Sequence, residues 1–558
     1  MVRCRNDLIT ACALWGALAA VVGTVGCTWP GTNQTDRPNR VEAPPAVPET
    51  GVTAFTADKD TRLPSGPGAD ARPGDFILQN SQARFVVAGP EHPPGPTATA
   101  GHVVDALAHG GADRLRLLLT RVGEPGTPAA AYREVEIESS GAGGAAQVVA
   151  TGSVPGRPAL KLRTTYRLQT GAPYLNIMTR VTNEGKNCLR DVPVGDALFP
   201  GRAVRFAEGQ GLFPAGATGP TDWLSFFAGE DVMGLFRPKA RRMEAVHEVG
   251  VSHLTCREVS LAPGGTATFS RNLMAVKGDP TDVRRAALAG MMGDTGRLRV
   301  RIGEQGNRVE GAWVRLFLGD SLPTGLLRTG ASGKATCRLP QTMYRVDYLA
   351  DGYSGLPSPG PVNFQEGSRV TLTIPASPLP RATVQIPEDG SATRLLQPSG
   401  PSRVPAHPPR APYFSPVHSP GSLLGPGEAR TVAVPEGGRP ALVASRGPLH
   451  ECAVLSSDEL RNGDEPLSVE LERVVDPGSY VAVDFGQYSG TSPRCAMKPR
   501  ERMLSNRCEG LHGAIVNLPP RVIPDEEDGA PAGPGELRAV EFRAAGAGRF
   551  TVLPLQND

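Results

Sequence analysis

Aromatic residues make up only 5% of this 558-residue chain, and its charges nearly cancel, at +2. So even a balance carries no electrostatic footprint for nucleic acid. No CxxC pair occurs among the nine cysteines and their spacings are wide, which argues against a zinc knot. There is no P-loop, no Gly-x-Ser-x-Gly elbow and no convincing dinucleotide fingerprint. What the chain has in quantity is Gly (67) and Pro (55), a composition that favours short strands and many turns over long helices. With 39% hydrophobic residues it is not disordered throughout. Its length suggests about three to five domains.

Arg3 and Arg5 precede an apolar stretch from Leu8 to Val25 with small residues near its end. That layout is a secretory signal over 1–26. The stretch is nearly long enough to span a bilayer, so a retained membrane helix is the competing reading. Thr24-Val25-Gly26-Cys27 resembles a lipobox, with Thr24 where Leu is usual. The resemblance implies cleavage before Cys27, lipidation of Cys27, and a membrane anchor built from its acyl chains. Thr28, not Asp, follows the cysteine, which by the same resemblance implies the outer membrane. Residues 27–55 are rich in Pro, Thr and Asn and read as a lipidated tether. Six cysteines remain beyond the tether: Cys188, Cys256, Cys337, Cys452, Cys495 and Cys508. An exported chain can oxidise them, and Cys495 with Cys508 is one option among about fifteen complete pairings.

The expected fold is mainly β. Over 56–276 polar and apolar residues alternate, as in Leu160 to Tyr166 and Tyr174 to Val181, with turns at Gly171-Ala172-Pro173 and Asn183-Glu184-Gly185. That period places one face on a core and the other in water, and predicts a large antiparallel β-sandwich. The run TTYRLQTGAPYLNIMTRVTNEG resembles the mutarotase-type supersandwich, a fold often associated with sugars. A connecting helix is expected within 277–295, with Asp279 as N-cap, Pro280 in the first turn and Gly290 or Gly293 ending it. Residues 296–376 carry Arg297 to Ile302, Val309 to Leu316, Ser332-Gly333-Lys334-Ala335, Tyr344-Arg345-Val346 and Asp351-Gly352-Tyr353. This order resembles the carboxypeptidase regulatory-like domain, a seven-stranded transthyretin-like sandwich that implies a spacer or binding module. Residues 377–475 read as a Pro-rich irregular insertion, from Pro378 to about Glu428, followed by strands at Ala429 to Ser445 and Leu467 to Val475.

From Ser445 the run SRGPLHECAVLSSDELRNGDEPLSVELERVVDPGSYVAVDF resembles the lead-in to a PHP-type metallohydrolase in exported multidomain relatives. Gly74 to Asn80, Arg84 to Val87 and Gly101 to Ala106 resemble the opening segment of those relatives. In that family His and acidic ligands hold two or three divalent ions that activate water. Here Gly486 and Tyr488 stand at the His-x-His positions, Val516-Asn517-Leu518-Pro519 follows Ile515 where the family shows an Asp-His pair, so both are absent, and Arg549 replaces a further His. Asp484 and Glu541 remain as the acidic candidates. Between Glu451 and Asp558 the sole histidine is His512. Residues 476–558 thus read as a degenerate PHP-like segment, partly α/β, with a helix over Pro499 to Cys508.

Weaker metal candidates are His102 and His109 near Asp105 and Asp113, better read as a turn region, and His247 and His253 near Glu248, better read as surface or core histidines. Asp525 to Asp528 reads as a solvated acidic loop. The sequence therefore points to an envelope-anchored, non-catalytic lipoprotein that needs no cofactor and binds or scaffolds a glycan or an envelope protein. The competing expectation is a divalent-metal phosphoesterase or hydrolase with substitute ligands.

Overall fold

The computed structural model describes residues 51–555, apart from short internal stretches and the longer segments 397–421, 475–482, 489–512 and 518–539. Cys27, the Asp525 to Asp528 run, His512, Cys495, Cys508 and the helix expected over 499–508 lie outside the described residues. Among the described residues, no helix is long and apolar enough to cross a membrane.

The first body is an antiparallel β-sandwich of two nine-stranded sheets. Its strands are β1 (Val52–Thr56), β2 (Phe76–Asn80), β3 (Ala83–Val87), β4 (Val103–Ala108), β5 (Leu117–Val122), β6 (Ala131–Ser140), β7 (Ala145–Val154), β8 (Arg157–Gln169), β9 (Tyr174–Asn183), β10 (Leu189–Phe199), β11 (Val204–Ala207), β12 (Gly211–Leu212), β13 (Thr218–Thr221), β14 (Trp223–Ala228), β15 (Asp231–Phe236), β16 (Met243–Glu248), β17 (Val251–Leu261) and β18 (Thr266–Lys277). One sheet runs β1-β2-β3-β4-β5-β10-β17-β16-β13, the other β12-β11-β14-β15-β18-β9-β8-β7-β6. The alternation read from the sequence is the physical cause of this layering. Leu160, Leu162, Tyr166 and Leu168 of β8, with Leu175, Ile177 and Val181 of β9, are buried in the inter-sheet core, while Lys161, Arg167, Met178 and Arg180 face out.

A charged pair crosses that core. Arg271 on β18 donates from Nε and Nη2 to the two carboxylate oxygens of Asp196 on β10, at 2.8 and 2.6 Å. Its remaining N–H groups reach Thr179 Oγ1 at 2.7 Å and Thr120 Oγ1 at 2.8 Å. Both charged side chains are fully buried. The guanidinium fork thus ties one sheet to the other with its donors satisfied.

The connecting helix α1 spans Pro280–Ala287, with Asp279 at the N-cap and Leu288 closing it. Its apolar residues Val283 and Ala287 join Trp223, Phe227 and Phe236 of the sandwich and Leu326 of the next body in one cluster. Gly234 on β15 makes room: a Cβ there would lie 2.4 Å from Val283 Cγ1. Thr281 Oγ1 exchanges hydrogen bonds with the backbone of Leu326, and Asp279 Oδ1 accepts from the Arg328 backbone N–H at 2.7 Å. The helix therefore covers what would otherwise be a bare strand edge.

The second body has seven strands in two sheets. They are β19 (Thr295–Ile302), β20 (Trp313–Leu318), β21 (Leu322–Arg328), β22 (Lys334–Pro340), β23 (Met343–Leu349), β25 (Val362–Asn363) and β26 (Arg369–Ile374); β24 (Tyr353–Ser354) forms a separate ladder with β27 (Ser377–Pro378). The sheets are β22-β19-β26 and β21-β20-β23-β25, with β19 and β26 parallel.

The region from 381 onward carries the strands expected within 429–445 and at Leu467, but its first part, expected as an irregular insertion, also contains strands. Its strands are β28 (Arg381–Gln385), β29 (Thr393–Leu396), β30 (Ser422–Leu424), β31 (Ala429–Ala433), β32 (Pro440–Ser445), β33 (Ala453–Ser456) and β34 (Leu467–Ser468), with a short helix α2 (Ser457–Arg461) before the last. They form β31-β28-β34 and β30-β29-β32-β33, with β28 and β34 parallel. Strand for strand this is the order of the second body. The chain thus carries two consecutive sandwiches of one topology. The second has its own core, including Val384, Leu395, Val432, Leu442 and Leu460. The Pro-dense stretch falls between its second and third strands, at the place where Leu318 and Leu322 make a tight hairpin in the first.

The last strands are β35 (Val483–Tyr488), β36 (Gly513–Asn517), β37 (Val540–Ala544) and β38 (Gly548–Leu555), in the order β35-β36-β38-β37. The first three neighbours in that order are parallel, and β37 is antiparallel to β38.

Candidate functional site

The outer face of β6 to β9 holds a shallow groove of about 340 Å³. Four cations line it, Arg133, Lys161, Arg163 and Arg180, against one acid, Glu134. Thr151, Ser153 and Thr182 add hydroxyls, and no aromatic side chain is present. Strand pairing sets the arrangement. Glu134, Thr151, Arg163 and Arg180 stand level across four strands, and Ser153, Lys161 and Thr182 form the next outward row. A β-bulge between Tyr132 and Glu134 leaves Arg133 as the extra residue, so Arg133 and Glu134 both stay exposed while Tyr132 is buried. Bulges re-aim side chains in this way. Gly152 permits it, since a Cβ there would meet the Ala131 carbonyl oxygen at 2.0 Å.

Some of the charge is balanced from the flanks. Arg163 donates to Glu138 Oε1 at 2.6 Å and to Thr165 Oγ1 at 3.0 Å, and Lys161 lies 3.9 Å from Glu184. Thr151 donates to Glu134 Oε2 at 3.2 Å. Arg133 and Arg180 make no ion pair or side-chain hydrogen bond among the described residues. Arg180 also stands directly across from Arg163. Like charges in register on adjacent strands are unfavourable, and here the Glu138 carboxylate offsets the Arg163 charge from the flank while Arg180 is left open to an anion.

A second polar cluster sits where the 58–75 loop meets β3 and β4. His92 is 3% exposed; its Nδ1 lies 2.9 Å from Asp75 Oδ2 and its Nε2 3.3 Å from Asp70 Oδ2. Burial opposes charge on this imidazole, but hydrogen bonds and the two carboxylate charges prevail and raise its pKa to about 9. Asp105 accepts from the backbone N–H groups of Asp70 and Ala71, and burial pushes its carboxyl up to about 7. Asp113 Oδ1 accepts from Ala106 and Leu115, and burial with the Asp105 charge raises its pKa as well. These carboxylates are occupied in holding backbone, so the cluster is a loop clamp.

The candidates drawn from the sequence are placed as follows. His102 is buried in a bend immediately before β4; its Nε2–H donates to the Ala130 carbonyl at 3.1 Å, and burial lowers its pKa to about 4. His109 is exposed beyond the end of β4. His247 and His253 are core histidines, His247 bonded to Ser252 Oγ at 2.8 Å and His253 lying 3.8 Å from Glu248. Cys188, Cys256, Cys337 and Cys452 are unpaired. Among the described residues no three His, Cys, Asp or Glu side chains converge as a metal site would require. In the terminal sheet Asp484 lies on β35 and Glu541 on β37, the two edge strands. Three strand spacings separate those edges, roughly 14 Å. Asp484 is level with Ala514, Ala514 with Val552 and Val552 with Val540, so Glu541 is one step out of that row.

Sequence reading missed both the groove and the clamp. Lys161, Arg163 and Arg180 were visible as outward positions, but which strands stand side by side, and the bulge at Arg133, are not written in the local pattern.

No family model matches the chain, and no curated protein does. Likenesses to solved structures are distant. A TPR-domain containing protein from Parabacteroides distasonis is 11% identical over 41% of this chain and 56% of its own, with a TM-score of 0.26. An alpha-galactosidase from Geobacillus stearothermophilus is 11% identical over 36% of this chain and 40% of its own, with a TM-score of 0.27. A streptococcal ancillary pilin is 14% identical over 42% of this chain and 81% of its own, with a TM-score of 0.21. The chain thus spans 56% of the first and 40% of the second. Scores this low carry no argument about activity or ligand.

Proposed function

We propose that the protein is a non-catalytic lipoprotein, anchored in the outer membrane of the cell envelope through Cys27, that binds an envelope component on the outer face of its sandwich. The observation that carries this reading is the groove on β6 to β9, where four cations, two of them without an ion-pair partner among the described residues, line an open surface. Binding explains why such charges are tolerated; a purely structural face would exchange one of them at no loss.

Two further features support it. Gly486, Tyr488 and Arg549 occupy positions where the PHP-type resemblance would require metal ligands. Asp484 and Glu541 lie on opposite edge strands. A PHP-like remnant kept as a folded end module fits both facts.

The test uses the full chain expressed with its leader, and a Cys27→Ser variant that cannot be acylated. The parent protein should incorporate labelled fatty acid and fractionate with the outer membrane. The variant should lose the label yet still bind isolated envelopes. If the variant has no affinity for envelopes, the binding reading fails. Stoichiometric zinc, manganese or iron, with phosphoesterase turnover abolished by Glu541→Ala, would instead establish the hydrolase.

A further inference from the structure

We infer that the β6–β9 groove is a subsite for an acidic polysaccharide, gripped through its carboxylate or sulfate groups; this rests on the binding reading above. The groove's chemistry selects the ligand. Guanidinium groups offer paired donors that match the two oxygens of a carboxylate or sulfate; Arg180 presents such a fork without an ion-pair partner among the described residues, beside Arg163, whose guanidinium is shared with Glu138 and Thr165. An anion seated against Arg180 and Arg133 would meet the two cations of the groove that have no ion-pair partner among the described residues.

Lys161 lies two residues from Arg163 on the same strand and face, roughly 7 Å along it. Arg133 extends the cationic row to the far strand on its bulge. Cations are therefore spread along the strands and across them, as repeated anionic groups on a polymer would require. A single small anion would need only one fork.

The uncharged part of the lining narrows the class. Thr151, Ser153 and Thr182 supply hydroxyls at the level of the cations, suited to sugar hydroxyls. No aromatic ring lines the groove, and no aromatic residue is among the large exposed apolar side chains of the described residues. Binding of single-stranded nucleic acid relies on such rings to stack bases. The groove has no platform for that, nor for the face of a neutral sugar.

The experiment uses the full-length Cys27→Ser protein with defined polymers as probes: polygalacturonate for carboxylate, dextran sulfate for sulfate, unmodified dextran, and single-stranded DNA. Titration calorimetry at several salt concentrations reads affinity. Binding to at least one of the two acidic polysaccharides is expected, weakening as salt rises, with none to dextran and little to DNA. The double variant Arg163→Gln/Arg180→Gln should lose at least tenfold, and Arg430→Ala, a surface cation on another body, should lose nothing. Thermal unfolding of the double variant should be nearly unchanged, since the exposed Arg163–Glu138 ion pair it loses contributes little, which separates lost binding from lost folding. Which acidic polymer binds more tightly identifies the anionic group. Equal affinity for DNA, or acidic-polymer binding untouched by the double variant, would overturn the assignment. If envelopes still capture the protein while both acidic polymers fail, the binding role stands and the acidic-polysaccharide reading falls.

Discussion

Replacing His92 by Gln isolates the loop clamp from the rest of the sandwich. Glutamine keeps a neutral polar group near Asp70 and Asp75 but removes the positive charge between them. The imidazole pKa rises from 6.5 to about 9 on folding. At about 1.4 kcal/mol per unit, the clamp contributes roughly 3 kcal/mol when the ring is charged in both states. The folded pKa is raised, so this stability is fully present below about pH 6.5 and disappears as pH climbs to about 9. The groups facing the ring are Asp70 and Asp75, with Arg72 against Asp70 and Asp105 on the amides of Asp70 and Ala71. Asp105 titrates in the same sense but in a lower pH window. Its raised pKa of about 7 means its neutral form favours the fold, and that advantage fades between about pH 4 and pH 7. The informative quantity is therefore the difference between parent and variant above pH 7. Calorimetric unfolding of the lipid-free chain should show the sandwich transition several degrees lower in His92→Gln at pH 6.5. The gap should close by pH 9.5. A gap that stays constant from pH 6.5 to 9.5 would refute the claim that a charged imidazole holds the loop.

Two other substitutions test what joins the layers and bodies. Asp196→Ala strands the fully buried Arg271 guanidinium and should cost about 3–5 kcal/mol, whereas Asp196→Leu combined with Arg271→Met should cost much less; urea unfolding measures both. Gly234→Ala drives a Cβ into Val283 and should lower stability by about 1–3 kcal/mol and expose the 277–295 connector to protease, and adding Val283→Ala should restore resistance.

Much of the scaffold is legible in the chain because period-two alternation is a direct consequence of strand geometry. The segments around Tyr166 and Ile177 are long enough to display it, and they form the inner and outer faces that the pattern implies. The connecting helix is legible for a similar reason, since Asp279 and Pro280 mark its start locally. The second small sandwich escapes notice because β29 and β30 have only four and three residues and a Pro-dense stretch separates them. Strands so short show no period. The polar features depend on long-range pairing: Arg271 meets Asp196 across 75 residues and His92 meets Asp75 across 17. His102, Asp105 and Asp113 were attractive as ligands because they are close in sequence, but each is spent on a nearby backbone group instead.

The repeated sandwich topology has a mechanical consequence. In each copy the first and last strands are parallel neighbours, so the chain enters at one pole and leaves at the other. Tension between the two ends slides those strands past each other and loads their backbone bonds in shear, all at once. The first copy pairs six positions this way, from Arg297 with Arg369 to Ile302 with Ile374, and the second pairs only Val384 with Leu467 and Gln385 with Ser468. Pulled by its own two ends, the second copy should therefore yield at lower force than the first, a sacrificial extension beside a stiffer neighbour.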